Sequence, residues 1–192
     1  LAGTAARAAN MGFAPTHLIM ACGSCRDGME RAFEGGGMLT TPDGERLARE
    51  DALQFLAARQ PAFRNRAHRI FFDHSPRPSE WTGANKSKAP RYYAAALSAC
   101  TGAEFRLSPG CCGESGMGAM SSPGIYNRLR AKKSGSLARE LAALPDAPGS
   151  EASPIVVSCP SCKMGITRIL MSMGDRRPVL HSLEFLAESC AG

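Results

Sequence analysis

One phrase occurs twice in this chain, and it limits the available folds more than any other feature. Near the start it reads His17-Leu-Ile-Met-Ala-Cys22-Gly-Ser-Cys25-Arg-Asp-Gly-Met29, and near the end Pro154-Ile-Val-Val-Ser-Cys159-Pro-Ser-Cys162-Lys-Met-Gly-Ile166. Each copy is a short apolar run, then a small residue and Cys-x-Ser-Cys, then a helix-compatible stretch. A short apolar run bounded by breakers reads as a buried strand. Matched type, order and length point to an internal duplication.

The rest of the chain alternates in the same way. Strands are expected over 16–21, 68–72, 104–107, 154–158 and 179–180, and helices over 25–33, 46–59, 91–99, 124–144, 162–173 and 182–190. In the 46–59 segment Leu47, Leu53, Phe55 and Leu56 supply the apolar face, and Pro61 stops the helix. Residues 73–90 and 145–154, rich in Pro, Ser and Gly, read as surface connections. Strand–helix alternation predicts an α/β fold with a three-layer, mainly parallel sheet, pseudo-duplicated and cysteine-rich. The opening Leu1-Ala-Gly-Thr-Ala-Ala-Arg-Ala-Ala-Asn10 reads as the end of a helix and predicts a fragment of a longer polypeptide.

Cysteine carries the chemistry. The eight are Cys22, Cys25, Cys100, Cys111, Cys112, Cys159, Cys162 and Cys190. Neighbouring Cys111 and Cys112 have poor geometry for bonding each other. With no secretory leader visible, paired Cys-x-x-Cys motifs favour metal ligation or redox work over a disulfide framework. Each motif falls where a strand hands over to a helix. Open α/β sites gather there, and helix N-termini favour thiolate there. Cys111-Cys112-Gly113 follows a strand in the same manner. Gly113, Gly116 and Gly118 let backbone come close to a bulky group.

Gly110-Cys-Cys-Gly-Glu-Ser-Gly-Met-Gly118 together with Val157-Ser-Cys-Pro-Ser-Cys162 resembles the cysteine-rich CCG domain. That domain occurs in heterodisulfide reductases, in the iron–sulfur subunits of glycolate oxidases and in anaerobic glycerol-3-phosphate dehydrogenases. The wording is most similar to the C-terminal part of FAD-linked, D-lactate-dehydrogenase-like oxidoreductases. The resemblance covers nearly the whole chain. Residues 1–60 match the closing part of a truncated first repeat, and residues 61–192 a second repeat.

The resemblance implies an oxidoreductase component for electron transfer, with a 4Fe–4S cluster taking electrons from a flavin toward an acceptor. It makes Cys111, Cys112, Cys159 and Cys162 the metal ligands, and Cys22 and Cys25 the closing motif of the preceding repeat. Gly113, Glu114 and Ser115 would surround the cofactor. The family places a further cysteine where this chain has Phe72-Asp-His-Ser-Pro-Arg-Pro78, with Ser75 in its place, which leaves three alternatives: His74 or Asp73 ligates instead, the site carries a four-cysteine cluster, or the cluster is lost. Substrate chemistry on a 2-hydroxy acid of the D-lactate or glycolate kind would sit with FAD on a partner domain or subunit, alongside a possible further Fe–S domain. The resemblance also implies a cytoplasmic location, including the inner face of the membrane by peripheral attachment.

Two other readings stay open. One is a structural zinc module for interaction, since closed tetrahedral thiolate sites stabilise small folds. The other is a thiol–disulfide enzyme working through Cys22/Cys25 or Cys159/Cys162. Cys100 and Cys190 read as packed thiols, and His17, His68 and His181 as structural. Met117, Met120, Met164, Met171 and Met173 are expected to pack the core near the site.

Composition excludes other classes. The net charge of +6 is scattered and aromatics are 6% of residues, so no basic groove with stacking platforms emerges and no nucleic-acid partner is expected. The densest basic run, Arg128-Leu-Arg-Ala-Lys-Lys133, reads as a solvated helix face. No apolar run approaches the roughly 20 residues of a membrane span.

Overall fold

A computed structural model describes residues 7, 10–13, 15–22, 47–59, 69–73, 89–108, 110–114, 118–144 and 152–190. Strands β1 (His17–Met20) and β2 (Ala48–Asp51) form one parallel pair, followed by helix α1 (Ala52–Ala58). Then come β3 (Arg69–Asp73), α2 (Ala89–Thr101), β4 (Glu104–Ser108), α3 (Gly118–Ser121) and α4 (Pro123–Ala142). The chain closes with β5 (Ile155–Val157), α5 (Pro160–Met173), β6 (Val179–His181) and α6 (Ser182–Cys190). The second sheet has the order β4-β3-β5-β6, and every pairing in it is parallel. The fold is α/β with parallel sheets.

Parallel strands buried on both faces need continuous apolar runs. β5 meets this with Ile-Val-Val, all fully buried. Its side chains alternate between two cores. Ile155 and Val157 join Leu137 and Leu141 of α4 and Ile166, Ile169 and Leu170 of α5. Val156 joins Leu53 of α1, Tyr93 and Leu97 of α2, and Phe185 and Leu186 of α6.

Register brings the strand ends level. Asp73 pairs with Ser108 on one side and Val157 on the other, and Val157 pairs with His181. The carboxyl ends of four strands thus form one row, and the turns that follow β4 and β5 leave from it.

The 46–59 helix is corrected. Ala48–Asp51 is a strand, and the helix begins only at Ala52. Parallel pairing with β1, from His17 against Ala48 to Met20 against Asp51, holds these residues extended. The buried Asp51 carboxylate then caps α1 by accepting from the Leu53 N–H at 2.9 Å and the Gln54 N–H at 3.4 Å. At the other end of the 73–90 loop, α2 starts at Ala89, because a helix tolerates Pro90 in its first turn.

Two further expectations fail. Met120, Met164 and Met171 are 78%, 52% and 72% exposed, and Met173 is also exposed. On α5 the buried stripe is Cys162, Ile166, Ile169 and Leu170. Met164 and Met171 each lie two residues past a stripe member, which turns them to the opposite side. In the basic run, Arg128, Leu129, Ala131 and Lys132 are exposed as expected, but Lys133 is buried, because α4 turns Tyr126, Lys133, Leu137 and Leu141 inward together.

The order strand, Cys-x-x-Cys, parallel strand, helix occurs twice, once through β1, β2 and α1 and once through β5, β6 and α6. The two strand-to-helix corners also match in wording. Asp51-Ala-Leu-Gln-Phe-Leu-Ala57 stands beside His181-Ser-Leu-Glu-Phe-Leu-Ala187, with Leu, Phe, Leu and Ala at the same places.

Candidate functional site

Five cysteines from three turns meet at the row of strand ends. Cys22 follows β1, Cys111 and Cys112 follow β4, and Cys159 and Cys162 open α5. All five are thiols rather than disulfides. They form a continuous run: Cys111 and Cys162 hydrogen-bond to Cys112, Cys162 and Cys22 to Cys159. The Cys22 and Cys159 sulfurs are 3.8 Å apart. Cys112, Cys159 and Cys162 are buried in the core, with Cys22 and Cys111 half-buried against it.

Local geometry explains the clustering. Cys159 is the extended N-cap residue of α5, and Pro160 takes the next position, where a missing N–H costs nothing. Gly174, left-handed at φ +72°, ends the helix, with its own N–H and the Asp175 N–H turning back to the last turn. Cys162, one turn in, faces the core. On the β4 side the chain turns sharply at Gly113, which has φ +78° and no room for a Cβ, since one would stand 3.0 Å from the Arg130 backbone nitrogen. Gly165 on α5 lets the Cys112–Glu114 turn press in, because a Cβ there would meet Glu114 Cβ at 3.0 Å.

The surroundings favour anionic sulfur. Cys112 is pulled far below the ordinary thiol range, first by Cys111, then by Cys162, the Glu114 backbone N–H and the charge of Lys133, against the opposing effect of burial. Cys159 is lowered by Cys162, by the backbone N–H groups of Cys162 and Ser161, and by Cys22. The Gly113 N–H donates to Cys111 Sγ at 3.4 Å. Cys100 behaves oppositely: burial on α2 raises its thiol, in keeping with a packing role.

Glu114 is buried yet anchored: Arg168 Nη1 donates to it at 2.5 Å and Tyr126 Oη at 3.3 Å. It braces the turn from outside the thiol run. Lys133 donates to Ser108 Oγ at 2.7 Å, and Ser108 in turn donates to Glu140. Neither Lys133 nor Arg168 was foreseen. Lys133 was legible, since it keeps helical step with Tyr126, Leu137 and Leu141. Arg168 had no such signal.

His181 has a structural role, and a specific one. The Leu183 N–H donates to its Nδ1 at 3.3 Å, so Nε2 carries the proton and donates to the Ala21 carbonyl at 3.1 Å. This bond fixes the residue before Cys22 against the β6 corner. His17 is structural as well, lying edge-on to Phe55.

Cys25, His74 and Ser115 lie outside the described residues, as do His68, Met117, the 25–33 helix and most of the 145–154 connection. Among the described residues, no group of three or more His, Cys, Asp and Glu side chains is arranged to hold a metal ion. The donor set fits an iron–sulfur group in chemistry, being all sulfur and partly thiolate. No described helix is long and apolar enough to cross a membrane. No protein-family model, curated protein or solved structure matches the chain.

Proposed function

We propose that this chain is an iron–sulfur electron-transfer domain of a flavin-linked oxidoreductase, of the CCG type. The observation that carries the reading is the run Cys111–Cys112–Cys162–Cys159–Cys22 at the carboxyl ends of parallel strands. In this reading Cys111, Cys112, Cys159 and Cys162 hold a 4Fe–4S cluster, with Cys22 beside them. Such a cluster accepts and releases single electrons when bound. The chain's own part is to keep the sulfurs anionic and shielded. Backbone N–H groups of Gly113, Glu114, Ser161 and Cys162 point to sulfur, and hydrogen bonds of that kind tune cluster potential. Lys133 adds a buried positive charge near Cys112.

The matched corners at Asp51 and His181 support a pseudo-duplicated, three-layer domain. FAD and the 2-hydroxy-acid chemistry then belong to a partner domain or subunit in the cytoplasm.

Anaerobic purification with iron, acid-labile sulfide and zinc analysis tests this. About four irons and four sulfides per chain are expected for a 4Fe–4S group, with visible absorbance that bleaches on reduction. Zinc without sulfide, or a colourless metal-free protein after anaerobic reconstitution, overturns it.

A further inference from the structure

Cys22 and Cys159 end strands of different sheets and lie 137 positions apart, yet their sulfurs stand 3.8 Å from each other. A disulfide bond is about 2.05 Å long, so the two sulfurs have roughly 1.8 Å left to close, and χ1 of the half-buried Cys22 is the torsion that moves its sulfur. The two backbones are already tied. His181 bonds the carbonyl of Ala21, next to Cys22, and pairs in register with Val157, two residues before Cys159. Both cysteines thus hang from one corner.

Exposure sets an order of reaction. Cys112, Cys159 and Cys162 are 4%, 3% and 2% exposed, so a dissolved oxidant does not reach them first. Cys22 and Cys111 are the half-buried members. Cys111 has Cys112 as its neighbour in the run, and a vicinal pair closes poorly. Cys22 has Cys159.

We infer that Cys22 and Cys159 are an oxidation site that forms a disulfide and staples the first strand pair to the four-stranded sheet. The oxidant is a low-molecular-weight disulfide. Cys22 attacks it, forming a mixed disulfide and releasing one small thiol. The Cys159 sulfur then attacks the Cys22 sulfur and displaces the second small thiol. Two electrons pass to the oxidant, and the two cysteine protons end on the two thiols released. The step concerns the protein without a cluster and holds whether or not iron is ever bound.

The test is to treat the purified, metal-free chain with oxidised glutathione. A band that runs faster on a non-reducing gel, reversed by dithiothreitol, is expected from closing so long a loop. Peptide mapping should find the peptide holding Cys22 joined to the one holding Cys159. Cys22→Ser and Cys159→Ser each abolish the link; Cys25→Ser, Cys111→Ser and Cys162→Ser keep it. Bonds confined to Cys159–Cys162 or Cys22–Cys25 in the wild-type map, or no link at all, overturn the inference whatever the variants' folding. Iron and sulfide analysis on the same preparation separates the two readings. A link in protein that never takes up iron upholds this one and sinks the cluster. Protein that loads iron but forms no link after its removal sinks this one alone.

Discussion

The corners at Asp51 and His181 are built alike and do different work. Each ends a strand at the carboxyl edge, each caps the helix that follows, and each opens the same Leu-x-Phe-Leu-Ala wording. Asp51 commits its carboxylate to its own helix, accepting from the Leu53 and Gln54 N–H groups. His181 caps with Nδ1 alone, and Glu184 returns to the His181 N–H at 2.7 Å in the manner of a capping box. That leaves Nε2 for the Ala21 carbonyl in the other sheet. A second nitrogen turns a local cap into a tie between two sheets, and the tie positions Cys22. Glu184 also bonds Lys163, which holds its carboxyl below the usual range and keeps it an acceptor.

A second contrast sets the thiols of the site against Cys100, and pH gives it the largest expected effect. In the reduced, metal-free protein Cys112 is lowered to about 3 and Cys159 to about 5 from an ordinary 9.0. A depressed acid adds stability that is complete above the unfolded pKa and is lost as pH falls through the folded one. Urea midpoints should therefore climb as pH rises from 5 to 9, and Cys159→Ser should flatten the climb. An equal slope in wild type and variant would refute thiolate character at Cys159.

Next in size is the turn that aims Cys111 and Cys112. Gly113→Ala forces a side chain into a left-handed residue and against the Arg130 backbone. Strain and overpacking together should cost about 2–4 kcal/mol by denaturant titration. Gly110→Ala is the comparison: its φ is +92° with nothing within 4 Å, so strain alone applies and the loss should be smaller. Equal losses would mean that the Arg130 contact contributes nothing.

The smallest effect sharpens the comparison of corners. His181→Asp installs the other corner's residue. The cap on α6 survives, and only the bond to Ala21 goes, at roughly 1 kcal/mol. The informative readout is local: alkylation of Cys22 should quicken several-fold while Cys100 labels at its former rate. Unchanged labelling of Cys22 would show that the histidine does not hold β1 in place.

Much of this was legible before any fold was known. Val-rich β5 and the period of α5 are local signals, and for both the expected and observed bounds agree within two residues. Ala48–Asp51 misled because Leu47, Leu53, Phe55 and Leu56 mimic a single helical face. A parallel partner far along the chain, with His17 against Ala48 at one end, decides the strand. The methionines misled because hydrophobic type does not tell which side of α5 a residue takes.

The sequence by itself determined the alternating α/β order, the two Cys-x-x-Cys turns and the Cys-Cys-Gly turn, because strand runs, breakers and cysteine spacing act over a few residues. Only the tertiary structure decided that Cys22 lies beside Cys159, that Lys133 lies buried near Cys112, and that His181 reaches Ala21. Those contacts depend on strand register and on two sheets meeting, which no short stretch of chain encodes.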